Sequence, residues 1–163
     1  MTCAWIGAGE SVAQPSADDL HTVGRYPLRY YAPAEHGRAR SNSHVTQTPD
    51  GLSYVANARG VLVYDGHSWT PIEDPLLTGV QALSYGFDNL LYVAAEGHPG
   101  YLAPDEGGQL RFHSLAEHLP ASYRALSTLW DVSATAHGVY FTAHEGWLLR
   151  WDGQALQIIE EGG

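Results

Sequence analysis

The chain has 163 residues, of which 44% are hydrophobic, 11% aromatic and 16% charged, so it can bury a core and is not expected to be disordered. Its 18 acidic and 8 basic residues give a formal net charge of -10, which disfavours contact with nucleic-acid phosphates and anionic lipid headgroups. The single cysteine excludes an internal disulfide and a thiolate metal cage. No apolar run approaches the ~20 residues of a membrane span, so we expect neither a nucleic-acid partner nor a membrane span in this segment.

Residues 1–24 have the composition of either a signal-peptide remnant or a disordered tail. The first nine residues are mildly apolar, and the small residues at 11–13 suit a signal-peptidase cleavage site. Against an export signal, a basic n-region is missing and Glu10 interrupts the apolar part. Export of the protein would place the domain that follows in the periplasm.

Residues 25–163 contain a unit that is repeated three times. Its clearest part is a turn followed by an extended apolar segment, which aligns Gly51, Asn89 and Gly138. Two units continue into the hairpin dipeptides Asp65-Gly66 and Asp152-Gly153, which have the same sequence separation as Gly51 and Gly138. The repeat is therefore a property of whole units.

Each unit has the pattern of four short strands joined by tight turns. The predicted units span 43–72, 80–114 and 128–159, and a helix of one or two turns, limited by Pro120, is expected within 114–127. Repeated four-stranded units of ~40–50 residues are typical of propeller blades. The expected fold class is all-β: an incomplete β-propeller of four-stranded antiparallel blades, with about three blades present.

One hairpin carries a family resemblance. The run Asn57-x-Arg59-Gly60-Val61-Leu62-x-Tyr64-Asp65-Gly66-x-x-Trp69 resembles the repeat of the two-component regulator propeller, and the following two units agree with it in order. The resemblance implies a periplasmic, ligand-binding sensor domain of a bacterial signalling protein, such as a hybrid histidine kinase, a diguanylate cyclase or a triple-tyrosine regulator. It also implies C-terminal signalling modules in cis outside this segment, an unknown small molecule or peptide as ligand, and a parent protein able to form a homodimer.

Residues 25–32 resemble the N-terminal strand that closes the ring in many propellers. Closure needs ~4–8 blades, so three units predict a truncated product or a fragment. Such a fragment is expected to leave unpaired, apolar surface on its third blade.

The candidate ligand site lies in the loops between the second and third strands of the three units. Equivalent loops of a propeller cluster on one face, and convergent polar groups there are typical of small-molecule sites. The residues at these positions are Asn57, Arg59, Glu96, His98, His144 and Glu145. The alternative is that they are ordinary solvated turn residues. No two histidines have the i, i+4 spacing of a helical zinc motif, so no metal is predicted.

The chain has no recognisable enzyme signature: a nucleophile elbow, a phosphate loop and a dinucleotide fingerprint are all missing from the sequence. No catalytic residue and no cofactor are therefore predicted, and Asp65, Gly66, Asp152 and Gly153 are interpreted as structural turns. The alternative function is a fragment of a propeller hydrolase or lyase, whose catalytic groups would be the carboxylates and histidines of the same loops.

Overall fold

The computed structural model describes residues 29–123 and 128–160. The chain divides into two compact units, Met1–Tyr30 and Tyr31–Gly163, and every strand of the described part belongs to the second unit. The segment predicted as a signal-peptide remnant or a disordered tail, 1–24, lies outside the described residues. No helix in the described part is long and apolar enough to cross a bilayer.

The described residues form three four-stranded antiparallel sheets, in each of which the strands lie side by side in chain order. Blade 1 consists of β1 (Asn42–Gln47), β2 (Ser53–Asn57), β3 (Gly60–Tyr64) and β4 (Trp69–Ile72). Blade 2 consists of β5 (Ala82–Tyr85), β6 (Leu91–Ala95), β7 (His98–Pro104) and β8 (Leu110–Ser114). Blade 3 consists of β9 (Leu129–Thr135), β10 (Gly138–Ala143), β11 (Leu148–Trp151) and β12 (Leu156–Glu160). The expected all-β class with four-stranded propeller blades is confirmed.

Helical structure is confined to short turns in the described part of the chain. The helix expected within 114–127 forms as two 3-10 turns, Ala116–His118 and Ala121–Tyr123, on either side of Pro120, which lacks the backbone N–H that a continuous helix needs. A four-residue helix, α1 (Pro33–His36), precedes blade 1. Residues 29–32 belong to no strand, and 25–28 lie outside the described residues, so the closing strand over 25–32 stays a prediction.

The first strands of neighbouring blades lie beside one another and are joined by side chains. His44 Nδ1 accepts a hydrogen bond from the Leu83 backbone N–H at 3.1 Å, linking β1 to β5. Ser84 Oγ accepts one from the Ala134 N–H at 2.9 Å, linking β5 to β9. The blades therefore converge along these inner strands, as the blades of a propeller do around their axis.

Apolar side chains fill the space between successive blades. Tyr54, Ala56 and Val61 of blade 1 belong to one buried cluster with Leu83, Leu91 and Val93 of blade 2. A second cluster joins blade 2 to blade 3, where the rings of Tyr92 and Phe141 meet with centroids 6.4 Å apart.

The Tyr92 hydroxyl donates to Asp88 Oδ2 at 2.6 Å. Burial, together with this neighbouring carboxylate, raises the pKa of Tyr92 far above its usual value, so the phenol stays neutral inside the interface.

The hairpin that opens blade 3 is shorter than its counterparts, which corrects the alignment of the repeat. The Thr48 N–H donates to Leu52 O around a three-residue turn, whereas Thr135 pairs directly with Gly138 across two residues. Gly138 is therefore equivalent to Leu52 and not to Gly51. A one-residue shift of the alignment moves every side chain of a strand to the other face of its sheet. With Gly138 aligned to Leu52, Phe141 lies on the face of β10 that contacts blade 2.

The face of blade 3 turned away from blade 2 carries both polar and apolar side chains. Its residues alternate with the buried ones, and they are Asp131, Ser133, Tyr140, Thr142, Leu148, Arg150 and Gln157. The Arg150 guanidinium donates to His137 O at 2.7 and 3.1 Å and so lies along this face. Tyr140 and Leu148 contribute large, half-buried apolar groups to it. Blade 3 also exposes Trp130 and Ile159, at 54% and 52%.

The opposite end of the stack, the outward face of blade 1, is covered by residues 31–41, here named the N-terminal strap. The rings of Tyr31 and His36 meet the indole of Trp69 edge-on, with centroids 5.2 and 5.9 Å away. The Asn57 side chain donates to Ala39 O at 2.7 Å. Leu62, which points to the same face, is 1% exposed. The strap therefore buries part of the face of blade 1 that a preceding blade would bury in a longer propeller.

A first prediction concerns Gly60, at the turn between β2 and β3. Its φ is +124°, and a Cβ there would lie 3.0 Å from Ile72 O and 3.5 Å from Leu77 O. We expect Gly60→Ala to lower the free energy of unfolding by at least about 2 kcal/mol, because backbone strain and a steric clash add. Urea denaturation measures this loss.

The matched control is Gly66→Ala, where φ is +91° but nothing lies within 4 Å of the added methyl group. Only the backbone strain applies at that position, so the expected loss is about 1 kcal/mol. Equal losses in the two variants would contradict the close packing inferred around Gly60.

Candidate functional site

The loops between the second and third strands of the blades lie at one end of the molecule and are tied to the segments that connect one blade to the next. The connector 73–81 touches both of the first two loops: the Gly79 N–H donates to Ala58 O at 3.1 Å, and the Glu96 N–H donates to Thr78 O at 2.9 Å. In blade 3, the His144 N–H donates to Thr128 O of the next connector at 2.8 Å. We name this end, made of the three loops and the adjoining connectors, the rim.

Asn57 is a buried structural residue of the rim. Its side chain is 0% exposed, and its Nδ2 donates to Ala39 O and to Asn42 Oδ1, both at 2.7 Å. Its Oδ1 accepts a hydrogen bond from the Arg59 N–H at 3.0 Å, which shapes the turn into β3. The amide therefore binds the strap, the first strand and the turn, and the structure places it beneath the surface where a ligand would bind.

The next three predicted positions place charged and titratable groups at the rim. Arg59 is exposed at the tip of the first loop. Glu96 is exposed on the second loop and lies so close to the connector that a Cβ at Gly79 would be 3.1 Å from its Oε2. His98 is half-buried, with Nδ1 3.3 Å from Ser114 Oγ. Glycine at position 79 thus leaves room for the Glu96 side chain.

On blade 3, His144 and Glu145 are both exposed, and the imidazole of His144 stacks on an aromatic side chain. The partner is Trp130, whose ring centroid lies 5.4 Å away at an interplanar angle of 25°. Trp130 is 54% exposed, which is unusual for so large an apolar side chain. The pair forms a flat aromatic surface on the rim, and Trp130 was not among the predicted site residues.

The rim brings the predicted residues to one end of the molecule without gathering them into a metal centre. The hydrogen bonds that link its loops to the connectors join backbone atoms. Within residues 29–123 and 128–160, no three His, Cys, Asp or Glu side chains are grouped so that they could hold a metal ion. The arrangement suits a ligand that contacts several loops at once.

Concavities adjoin the connectors, and two of them are lined by charged or imidazole side chains. One, of about 400 Å³, is lined by Arg38, Arg59, Glu73, Asp74 and Pro75. The other, of about 580 Å³, lies between blades 2 and 3 and has two imidazoles in its wall. There, His113 stacks on Tyr101 with centroids 5.1 Å apart, and His118 packs on Trp151 at 5.0 Å.

At the end of the blades away from the rim, one aspartate in each blade organises the turn between the third and fourth strands. Asp65 Oδ1 accepts from the N–H groups of His67 and Ser68 at 2.7 and 2.6 Å. Asp152 Oδ1 accepts from the N–H groups of Gln154 and Ala155 at 2.9 and 2.8 Å. Gly66 and Gly153 follow these aspartates with φ of +91° and +97°. The geometry agrees with the interpretation of these four residues as turn-formers.

Asp105 is the equivalent residue of blade 2, and the sequence prediction missed it. Its Oδ1 accepts from the N–H groups of Gly107 and Gln109, both at 2.9 Å, and its Oδ2 accepts from Arg111 Nε at 3.1 Å. The missing Asp-Gly dipeptide concealed the equivalence. The available signal was the position of Asp105 directly after β7, which corresponds to Asp65 after β3.

A second prediction concerns the pH dependence of stability. Backbone hydrogen bonds hold the pKa of Asp65, Asp105 and Asp152 below the usual value. A depressed pKa in the folded state stabilises the fold above the unfolded-state pKa of about 3.9, and that stability is lost as the pH falls through the lower folded-state pKa. We expect the triple variant D65N/D105N/D152N to be less stable than the native chain at neutral pH, with the difference shrinking below about pH 4.

Urea denaturation at a series of pH values measures this difference. The control is Glu106→Gln, which removes one charge from the same turn as Asp105. This variant is expected to follow the native chain at every pH. A difference between the triple variant and the native chain that does not change with pH would contradict the assignment.

Comparisons with known proteins agree with the fold. No family model and no curated protein matches the chain. Among solved structures, it is similar to the extracellular domain of a protein described as a hybrid two-component system from B. thetaiotaomicron, at 14% identity and a TM-score of 0.55 over 73% of this chain and 17% of that one. It is also similar to virginiamycin B lyase from Staphylococcus aureus, at 14% identity and a TM-score of 0.56 over 75% of this chain and 42% of that one.

The chain thus spans less than half the length of either structure. At this level of identity the likeness concerns the fold alone. It agrees with the three antiparallel four-stranded sheets. The chain has a β-propeller fold.

Proposed function

We propose that the chain is a non-catalytic, ligand-binding segment of a bacterial sensory propeller, and that the rim is its binding face. The observation that carries the proposal is the anchoring of the rim loops: the connectors hold the loops through backbone hydrogen bonds, which leaves side chains such as Arg59, Glu96 and His144 on the surface. A binding face whose backbone is already ordered loses less conformational entropy when it takes up a ligand.

The exposed Trp130 and His144 rings support the same face. Stacked rings offer a flat apolar surface beside polar groups, a combination that orients small organic ligands and peptide side chains. The corresponding turns at the other end of the blades use their aspartates within the protein, on backbone N–H groups. The rim is therefore the end whose polar side chains are better placed to meet a ligand.

The likeness to an extracellular sensor domain supports the remaining parts of the proposal. These parts are a periplasmic location, a small molecule or peptide as ligand, and a signalling module that follows in cis and receives the signal. A homodimer of the parent protein is part of the same proposal, because paired sensors can couple ligand binding to paired output modules.

The test is a ligand screen on the full 163-residue chain, in which the thermal shift on ligand binding is measured for each compound and each variant. The rim variant is H98A/H144A. The matched control is H67A/H137A, which removes two exposed imidazoles from the opposite end. We expect the rim variant to bind a ligand found in the screen at least about tenfold more weakly, equivalent to about 1.4 kcal/mol, and the control to bind it normally. Equal affinities in both variants would overturn the rim as the binding face.

A propeller hydrolase or lyase is the second candidate, and the likeness to a lyase favours it. Its catalytic groups would be Glu96, His98, His144 and Glu145 at the rim. Mass spectrometry of each ligand after prolonged incubation separates the two functions. Recovery of the unchanged ligand supports the sensor, whereas conversion that H98A/H144A abolishes and H67A/H137A preserves supports the enzyme.

A further inference from the structure

Each blade turns one alternating set of side chains toward the blade that follows it. In blades 1 and 2 this set includes Tyr54 and Tyr92, which are 6% and 2% exposed because they belong to the clusters between blades. The pairing of the strands makes Tyr140 their equivalent in blade 3, where it is half-buried on the uncovered face. Blade 3 therefore presents the same aromatic residue with which the other two blades contact their successors.

The inner strand of blade 3 also repeats the hydroxyl group that joins blade 2 to blade 3. In that existing contact, Ser84 Oγ accepts from the Ala134 N–H at 2.9 Å. Ser133 has the position of Ser84 in its own blade, and it is exposed on the uncovered face. A blade that docks on this face would therefore meet Ser133 with the backbone N–H that corresponds to Ala134.

Blade 1 has such an N–H group. Gln47 of β1 is the equivalent of Ala134 by the pairing of the strands. The N–H groups of successive residues in an antiparallel strand alternately face the partner strand and face away from it. The Thr48 N–H donates to Leu52 O, so the Gln47 N–H faces away from β2. Because β1 is the edge strand of its sheet, this N–H is directed to the place that the inner strand of a preceding blade would take.

Two valines on the same face of blade 1 are open where the other blades bury an apolar side chain. Val45 is 62% exposed, whereas its equivalents Leu83 and Val132 are 1% and 4% exposed. Val55 is half-buried, whereas its equivalent Phe141 is 0% exposed. Exposed apolar side chains at positions that the neighbouring blades bury indicate that a further blade covers them.

The N-terminal strap leaves room for such a blade. It precedes β1 as the connectors between blades precede β5 and β9. Leu77 and Leu119 of those connectors are each 1% exposed and belong to the clusters between blades, so a connecting segment is part of each existing interface. The strap covers the outer part of blade 1 through Trp69 and leaves Val45 of the inner strand exposed.

We propose that the uncovered face of blade 3 docks on the uncovered face of blade 1 of a second copy, and that two copies close into a ring of six blades. In this contact Tyr140 packs on Val55 of the second copy, and Ser133 Oγ accepts from its Gln47 N–H. Head-to-tail contacts form a ring when the rotation closes, and six blades fall within the usual ~4–8. The inference rests on the proposed function in one respect, because it assigns surfaces to the homodimer named there.

Sedimentation velocity of the full 163-residue chain over a range of concentrations tests the pairing. We expect a particle of twice the mass of the chain and none larger, because two copies cover both faces. Val45→Glu is expected to weaken association at least about tenfold, since it places a charge in an apolar contact. The matched control is Phe87→Glu, which adds the same charge at a side chain that is 81% exposed in the turn between β5 and β6 and leaves association unchanged. A chain that stays monomeric, open-ended growth, or equal losses in the two variants would overturn the proposal.

Mixing two variants tests whether the contact is head-to-tail. Val45→Glu damages the face of blade 1 and Tyr140→Glu damages that of blade 3, so both contacts are damaged in a dimer of either variant. In the mixture, blade 3 of the first variant and blade 1 of the second are native, and one contact is intact. We expect the mixture to associate more strongly than either variant alone. A mixture that associates no better would contradict the head-to-tail arrangement.

Cysteine cross-linking tests the register with side chains that are exposed in the single chain. The variant S133C/Q47C, with Cys3→Ser to remove the native thiol, is expected to form a covalent dimer on mild oxidation, as seen on a non-reducing gel. The control S133C/H67C, also with Cys3→Ser, places the second thiol in the turn between β3 and β4 and is expected to stay a single chain. Equal cross-linking of the two variants, or none in either, would overturn the register.

These outcomes are distinct from failure of the proposed function. If the chain does not pair but a ligand from the screen still depends on His98 and His144, the contact between copies is wrong and the rim remains the binding face. If the chain pairs as expected and the ligand binds the H98A/H144A variant normally, the rim is wrong and the contact between copies stands.

Discussion

Burial of both faces of a four-stranded sheet between its neighbours is the constraint on which the rest of this structure depends. Blade 2 shows it fully: Leu91 and Val93 face blade 1, while Tyr92 and Ala94, the residues that alternate with them, face blade 3. A side chain can then be apolar at every position along a strand, which is unusual for antiparallel sheets. The phenol of Tyr92 is tolerated at this depth because Asp88 accepts a hydrogen bond from its hydroxyl.

The same stacking positions the rim. Because the inner strands of adjacent blades are joined by His44 and Ser84, the blades keep a fixed register, and equivalent loops arrive at the same end. The connector 73–81 must then pass between two such loops, where its backbone binds Ala58 and Glu96. The polar side chains of the rim are thus displayed by a backbone that apolar contacts elsewhere have already placed.

Blade 1 and blade 3 each have one face that no neighbouring blade covers among the described residues, and the two faces differ in composition. Blade 1 keeps apolar residues there, including Leu62, and covers them with the N-terminal strap through the aromatic contacts of Trp69. On the uncovered face of blade 3 most side chains are polar, and the Arg150 guanidinium lies along it and donates to His137 O. By covering blade 1, the strap also brings Arg38 to the start of the connector, where its guanidinium pairs with Glu73.

The sequence by itself determined the repeated four-stranded units, because apolar runs bounded by Asp-Gly and Gly turns are local signals that fix where strands and hairpins form. It also indicated which loops share a face, since that follows from the repeat. Only the tertiary structure decided what those loop residues do: the Asn57 side chain binds the strap and the first strand, and His144 stacks on Trp130 at the surface. Such contacts depend on how blades pack and on where a connector returns, and neither is encoded in local patterns. The one-residue shortening of the turn before Gly138 likewise escaped alignment, because only pairing across the hairpin reveals which face each side chain takes.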